Sequence, residues 1–283
     1  MAILDLHTVA ANYWKEYCRR AGFIYQSSTL TGKPGTEFYE KLGPTRIYNY
    51  KMSVPDPIVS DNPTNAALAK GYTPNPTSQP VVRTITFTET IADSQSTTTE
   101  HGVTAGASVT VKSEAGFLFA KVGVEATISF EYNYTNSQTK TTETSRSWQD
   151  SLQITVPPGY QTEHTFIVQT GPFDKQVVLE CDIAGATTCY YFNPKAGVND
   201  STYEPIVFAL EGIPGISNVE YNNYTAHFTG AGRLTGKMGL QSFVDLVERP
   251  LAGRAGQTRR YQIPLTGKSG LDIPIFDRVV SRQ

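Results

Sequence analysis

The stretch VTAGASVTVKSEAGFLFAKVGVEATISF, residues 103–130, decides the fold of this chain. Apolar residues alternate with polar or small ones along 103–112 and again along 118–130, and only Phe119 is out of step. Alternation with a period of two places one set of side chains on each face of a strand. The Gly-containing segment 113–116 separates the two runs, so the sequence predicts a β-hairpin that turns there.

Each arm of this hairpin offers at least nine alternating residues, and a tilted transmembrane β-strand needs about 9–11. The pattern therefore predicts a membrane-insertion hairpin with one face for lipid and one for water. A hairpin with one face on an ordinary protein core would alternate in the same way, and this is the alternative. The predicted insertion residues are Val103, Ala105, Ala107, Val109, Val111, Phe117, Leu118, Phe119, Ala120, Val122, Val124, Ala126 and Ile128, and those predicted to line the pore are Lys112, Lys121 and Glu125.

Two Ser/Thr-rich tracts, 84–99 and 135–147, flank the hairpin. Thr forms strands well because it is β-branched, and its hydroxyl group tolerates water. Both tracts lack Gly and Pro, so we predict long β-strands and not a low-complexity linker. Apolar partners are sparse in both tracts, which means that little area is buried there and detachment costs little.

The order of these parts resembles a known family. A Thr-rich strand, an amphipathic hairpin and a second Thr-rich strand are followed by Val156-Pro157-Pro158-Gly159 and then by a strand-like run at 163–168. The Gly-punctuated run 224–236 is similar to the family's penultimate strand, and the opening MAILDL is similar to that of some crystal-associated insecticidal members. Over residues 80–250 the chain resembles the epsilon-toxin/mosquitocidal-toxin group of aerolysin-like β-pore-forming toxins.

The resemblance implies a mainly β, elongated aerolysin-like fold of long antiparallel strands and a β-sandwich, with a small α/β N-terminal head. We expect a receptor-binding head in 1–80 with part of 185–224, and Thr-rich long strands carrying the hairpin 101–130 in 81–180. We expect C-terminal sandwich strands and a basic activation tail in 225–283. The implied partners are a host cell membrane, a surface receptor or glycan, and further copies of the chain in a ring.

Aromatic residues in the first 50 positions are the predicted receptor contacts. Tyr and Trp give contact area at low entropic cost, although the same residues could build the core of a small head. The candidates are Tyr13, Trp14, Tyr17, Tyr25, Tyr39, Tyr48 and Tyr50. Proteolytic activation is expected in the basic segment 254–260, at Arg254, Arg259 or Arg260.

Residues 8–20 are the best helix candidate, with Thr8 as the predicted N-cap and Val9, Tyr13 and Tyr17 on one face. The three cysteines cannot all pair. Cys181 and Cys189 are close enough in sequence to bridge a hairpin, and free thiols are the alternative.

Composition argues against several function classes. A net charge of −2 predicts no strong attraction to nucleic acid. No run of about 18 apolar residues is present, and the N-terminus lacks the pattern of a secretory signal, so we expect release from the producing bacterium, as from a parasporal inclusion. The four histidines are scattered and no nucleophile or phosphate-loop motif is complete, so we expect no enzyme activity and no cofactor. A non-lytic lectin-like binding module and a structural coat or inclusion protein are the alternative functions.

Overall fold

The computed structural model describes residues 2–32, 35, 37–55, 58–59, 63–119, 124–135, 137 and 139–265. Most of these residues lie in strands, as the sequence predicted. The elements, in chain order, are β1 (Ala2–Asp5), α1 (Leu6–Ala21), β2 (Ile24–Thr29), α2 (Glu37–Leu42), β3 (Arg46–Ser53), β4 (Ile58–Val59), β5 (Thr64–Pro74), β6 (Val81–Thr104), β7 (Thr110–Phe119), β8 (Val124–Asn133), β9 (Lys140–Val156), β10 (Tyr160–Ala184), β11 (Ala186–Asn193), β12 (Val198–Pro205), α3 (Val207–Leu210), β13 (Ile216–Glu220), β14 (Thr225–Pro250) and β15 (Arg259–Leu265).

Two long antiparallel strands, β10 and β14, form the axis of the molecule. They pair from Tyr160↔Pro250 to Ala184↔Thr225, with one irregularity beside Thr170. At about 3.3 Å per residue, the 26 residues of β14 span roughly 85 Å. The fold is therefore elongated and mainly β, as predicted.

The first Thr-rich tract and residues 140–147 of the second lie in long strands, which confirms the prediction for these residues. β6 and β9 pair in one register from Val81↔Val156 to Thr97↔Lys140. One face of this pair packs against the sheet β5–β10–β14–β15, which makes the predicted sandwich. Its buried core consists of Phe87, Trp148, Ile154, Val156, Phe166, Val168, Val244 and Leu246.

β5 pairs with β10 along residues 161–170, so positions 64–74 run along the long sheet. The sequence prediction had placed these positions in the head region 1–80. β3 pairs with the opposite end of β10, at residues 178–184, next to the helix α1 and the small sheet β2–β11–β12. The division of the chain into domains stays a prediction, and within it β5 lies with the body.

Helix α1 is present as predicted but begins earlier. Asp5 is the N-cap, because its carboxylate accepts from the backbone N–H of His7 (3.1 Å), and Gly22 ends the helix at φ 71°. The predicted N-cap, Thr8, was wrong, since its hydroxyl instead donates to the Asp5 carboxylate (2.7 Å). The buried face of the helix is Leu6, Ala10, Trp14 and Cys18.

A histidine joins β14 to β10 at the head end of the long sheet. His227 Nδ1 lies 2.9 Å from Asp182 Oδ1, and its Nε2 lies 3.4 Å from Glu180 Oε1. Asn49 donates to the other oxygen of Asp182 (2.8 Å). The hydrogen bond to Asp182 raises the pKa of His227 above its ordinary value, and Glu180 adds to that effect.

We expect this histidine to make stability depend on pH. The bonds of protonated His227 to the two carboxylates stabilise the fold fully below the ordinary histidine pKa of about 6.5, and this stabilisation is lost as the pH rises through the raised pKa of the folded protein. The denaturant midpoint of the wild type should therefore fall as the pH rises from 6 to 8. The variant His227→Gln should not show this fall. Equal pH profiles of the two proteins would contradict the assignment.

Candidate functional site: a hairpin stowed on the long sheet

The hairpin exists, but its register differs from the prediction. β7 and β8 pair from Thr110↔Asn133 to Phe119↔Val124, and residues 120–123, which connect them, lie outside the described residues. The predicted turn at 113–116 was wrong. Residues 113–116 instead continue strand β7, because they pair with residues 127–130 of β8. The Ser129 hydroxyl, for example, donates to the Glu114 carboxylate (3.3 Å).

The start of the predicted first arm was also wrong. Val103 belongs to β6, pairs with Leu4 of β1 and is 0% exposed in the core of the head. Ala105 and Ala107 lie between β6 and β7, and Val109 also precedes β7, where its carbonyl accepts from the Tyr134 backbone N–H (3.0 Å). The ribbon thus begins near Val111 and reaches farther along the chain than the alternation suggested.

The register assigns the remaining predicted residues to the two arms. Phe119 pairs with Val124 and belongs to the same face of the hairpin as Val111. Leu118 pairs with Glu125 and belongs to the polar face. The sequence pattern had predicted the opposite, with Leu118 in the apolar alternation and Phe119 out of step. Phe117, Ala126 and Ile128 fall in the apolar set with Phe119. Ala120, Lys121 and Val122 lie outside the described residues.

The root of the hairpin rests in an apolar bed on the long sheet. Phe130 and Tyr132 of β8 are buried, 2% and 0% exposed. A Cβ atom at Gly232 of β14 would collide with the Tyr132 ring, so the strand needs glycine there for the ring to approach. We call this bed the hairpin seat; it consists of Gly232 and the buried residues Phe173, Val177, Leu179, Leu234, Met238 and Leu240. Burial of the two rings stabilises the stowed state by about 1.5–3 kcal/mol each.

Side chains of β6, and not its backbone, hold the edge of β8. Three residues at alternate positions of the Thr-rich strand donate to three alternate backbone carbonyls of the hairpin. The bonds run from Gln95 Nε2 to Ser129 (3.2 Å), from Thr97 Oγ1 to Glu131 (3.0 Å) and from Thr99 Oγ1 to Asn133 (2.6 Å). We call Gln95, Thr97 and Thr99 the clasp.

The clasp replaces a strand ladder. Among the described residues, β7 and β8 form a sheet only with each other and with the two-residue strand β4, apart from the nine-stranded sheet. A net contribution of roughly 1 kcal/mol per hydrogen bond makes the clasp weaker than a ladder of comparable length. In the described part of the chain, the backbone ladders of the nine-stranded sheet do not include β7 or β8.

The outer face of the hairpin is charged. The Glu131 carboxylate forms ion pairs with Lys140 of β9 (Nζ to Oε2, 2.7 Å) and with Lys112 of β7 (Nζ to Oε1, 3.1 Å). These two lysines, Lys140 first, hold the pKa of Glu131 below its ordinary value, so this cluster stays ionised at neutral pH and is lost only in acid. An open cavity of about 400 Å³ lies beside the cluster and is lined by residues of β6, β7, β8 and β9.

Most of the predicted receptor aromatics serve the core of the head. Trp14 is 0% exposed and its Nε1 donates to Thr187 Oγ1 (3.2 Å), so its assignment as a surface contact was wrong. Tyr13 is half-buried and donates to Glu204, and Tyr50 packs edge-on against Tyr134 with ring centroids 5.0 Å apart. Tyr17, Tyr25 and Tyr48 are half-buried, and the side chain of Tyr39 lies outside the described part.

The basic tail forms a strand that covers one edge of β14. β15 pairs with β14 from Ser242↔Leu265 to Glu248↔Arg259. Arg260 lies in this strand and makes a bidentate ion pair with Asp245 (3.1 and 2.8 Å). Arg254 lies in the exposed irregular segment 251–258, so the structure separates it from the other two candidates for cleavage.

The described residues contain no cluster of three or more His, Cys, Asp or Glu side chains that could hold a metal ion. None of the helices in the described ranges combines the length and apolar content needed to cross a membrane.

Comparisons with known proteins agree on a relationship. The family model described as Clostridium epsilon toxin ETX/Bacillus mosquitocidal toxin MTX2 matches residues 39–260. The pesticidal crystal protein Cry15Aa of Bacillus thuringiensis subsp. thompsoni is 29% identical over 228 residues, which cover 72% of this chain and 67% of that protein.

Two solved structures show the same fold. A non-toxic crystal protein from Bacillus thuringiensis superposes with a TM-score of 0.78 at 30% identity, covering 90% of this chain and all of that one. A chain of the Cry23Aa1 and Cry37Aa1 binary protein complex superposes with a TM-score of 0.75 at 27% identity, covering 95% of this chain and 98% of that one. The mainly β, aerolysin-like fold class that the sequence predicted is confirmed.

We expect the clasp to set how readily the hairpin opens. The double variant Thr97→Val, Thr99→Val keeps the shape of both buried side chains but leaves two carbonyls without donors. It should weaken the stowed state by about 2 kcal/mol, or roughly 30-fold in the opening equilibrium. Hydrogen exchange of the β8 amides measures this change.

The matched control is Thr98→Val, on the opposite face of the same strand, where the hydroxyl pairs with Thr139 (2.8 Å). The control should leave exchange in β8 unchanged. Equal protection in the control and the double variant would show that the clasp does not hold the hairpin.

Proposed function

The chain belongs to the family of Clostridium epsilon toxin and Bacillus mosquitocidal toxin MTX2, a family of aerolysin-like pore-forming toxins, and we propose that it acts by inserting its β7–β8 hairpin into a host cell membrane. A monomer binds the cell surface, is cleaved near its C-terminus and assembles into a ring. Each copy then contributes two strands to a transmembrane β-barrel. Insects are the proposed targets, since the relative Cry15Aa is a pesticidal crystal protein.

The observation that carries this proposal is how the hairpin is stored. The apolar side chains Phe130 and Tyr132 at its root lie on the seat, and side chains of β6 hold the edge of β8. Transfer to a membrane would exchange the seat for lipid and keep the polar face in water. Backbone groups in lipid need partners, so a closed barrel of many hairpins is required.

The faces of the barrel follow from the observed register. We assign Val111, Ala115, Phe117, Phe119 and their cross-strand partners from Tyr132 back to Val124 to the lipid side. Lys112, Glu114, Glu125 and Glu131 belong to the lumen, and Lys121 stays a lumen candidate from the sequence alone. Rings of these charges would set ion selectivity.

Removal of β15 supports assembly in this scheme. β15 occupies the edge of β14 at residues 242–248, and an uncovered strand edge is a template for pairing with another chain. Cleavage in the segment 251–258 would cut the connection to β15 without disturbing β14. Arg254 is the preferred site because it alone of the three candidates lies outside a strand.

Environment-sensitive dyes on neighbouring residues test the barrel. Cysteines introduced at Ala126 and Ile128 should report a lipid-like environment after exposure to receptor-bearing membranes, and those at Thr127 and Ser129 a water-like one. The three natural cysteines are buried and stay unlabelled in the folded protein. The same signal at all four positions would overturn the barrel assignment.

Limited trypsin digestion tests the activation site. Arg254→Gln should slow cleavage between β14 and β15 roughly tenfold or more, because the remaining sites, Arg259 and Arg260, lie in a strand and cleavage there requires local unfolding. Arg260→Gln is the matched control and should not slow this cleavage. A first cut at Arg259 or Arg260 in the wild type would contradict the assignment.

A non-lytic role is the second candidate, and the similar Bacillus thuringiensis crystal protein described as non-toxic favours it. In that role the head would bind and the hairpin would stay on its seat. Dye release from target-cell vesicles after trypsin treatment separates the two functions. Binding without release would support the non-lytic role.

A further inference from the structure

Two cysteines that are far apart in sequence meet in the core of the head. Cys18 lies on the buried face of α1, and Cys189 lies in β11, between β2 and β12. Their Sγ atoms are 3.7 Å apart, and the residues are 1% and 0% exposed. Within the described chain this is the one contact between cysteine sulfurs.

The third cysteine is buried in the same core of the head but lies in a different sheet. Cys181 lies in β10 of the long sheet, and Gly185, at φ 120°, separates that strand from β11 in the small sheet. The pairing of Cys181 with Cys189 that the sequence left open therefore has no support, and all three cysteines are free in the structure. The cysteine that contacts Cys189 is Cys18, which lies 171 positions before it in the sequence.

We propose that Cys18 and Cys189 form a disulfide when the chain folds in the presence of an oxidising disulfide, such as glutathione disulfide. One protein thiolate attacks glutathione disulfide, gives a mixed disulfide and releases one glutathione. The second protein thiolate attacks the protein sulfur of that mixed disulfide and releases the second glutathione. Two protein thiols lose two protons and two electrons, and one glutathione disulfide is reduced to two glutathiones.

Burial decides when this bond forms. Both thiols are enclosed and out of reach of an oxidant, and burial raises the pKa of Cys189 to about 12, so Cys189 offers almost no thiolate in the folded, reduced protein. The bond must therefore form before α1 packs onto β11, as the chain folds. The same enclosure protects the finished bond from reductants.

The bond would tie α1 to the sheet of the head. β1, directly before α1, pairs with residues 101–104 at the end of β6, from which the chain runs into the hairpin. The closed loop of about 170 residues contains the hairpin, and closing so long a loop restricts the unfolded chain strongly. We expect the melting temperature of the head to rise by roughly 5–10 °C on oxidation.

The test uses Cys181→Ser, which retains only the proposed pair. After refolding from denaturant with glutathione disulfide, it should contain no free thiols under denaturing conditions, and two after reduction. In a digest of the oxidised wild type, the peptide that contains Cys18 should be joined by a disulfide to the peptide that contains Cys189. The same oxidant added to the folded, reduced protein should leave both thiols free for hours.

Cys18→Ser, which keeps Cys181 and Cys189, is the control. It should retain two free thiols after the same oxidative refolding, and its melting temperature should not respond to oxidant. Free thiols in refolded Cys181→Ser would overturn the proposal, as would a link between residues 181 and 189 in the wild type. None of these outcomes depends on whether the protein forms pores.

Discussion

The apolar face of the β7–β8 hairpin has to stay dry, and this constraint governs the rest of the structure. Two large rings, Phe130 and Tyr132, are carried on a strand whose other face is charged. In water such a ribbon is stable only against an apolar bed, and a two-stranded hairpin alone is marginal. The long sheet provides the bed, and its unusual length gives room for the seat between the head and the sandwich.

Glycines in β14 make that bed possible. Each of three glycines faces an aromatic ring that a Cβ atom at that position would strike, so the strand forms a row of sockets. The pairs are Gly232 with Tyr132, Gly236 with Phe173, and Gly239 with Trp148. The first socket receives the hairpin, the second belongs to the seat itself, and the third serves the sandwich. Glycine in a strand interior usually weakens it, and here close approach of the rings offsets that cost.

The sequence predicted the elements better than their register. Alternation located the hairpin and the Thr-rich strands, because period-two patterns follow directly from strand geometry. It misplaced the turn, because Glu114 and Gly116 fit a strand as well as a turn when their cross-strand partners, Ser129 and Thr127, are polar and small. The sequence analysis also placed Trp14 at the surface, whereas it is buried, since composition does not show which side of a helix faces a sheet. The clasp was missed although its signal, a hydroxyl or amide side chain at 95, 97 and 99, lies within the tract that was singled out.

The clasp also explains how storage and assembly exclude each other. The carbonyls of Ser129, Glu131 and Asn133 point away from β7 and accept bonds from β6. In the proposed barrel the same carbonyls lie on the edge that a neighbouring hairpin must pair. While the clasp is closed, these three carbonyls have donors, which in the proposed mechanism would hinder premature pairing of monomers. Once the hairpin leaves, the carbonyls lose their donors, and only water or a second copy can replace them; in lipid only the copy remains. A hairpin released alone therefore gains little from a bilayer, whereas a ring of hairpins regains every bond that the clasp gave up.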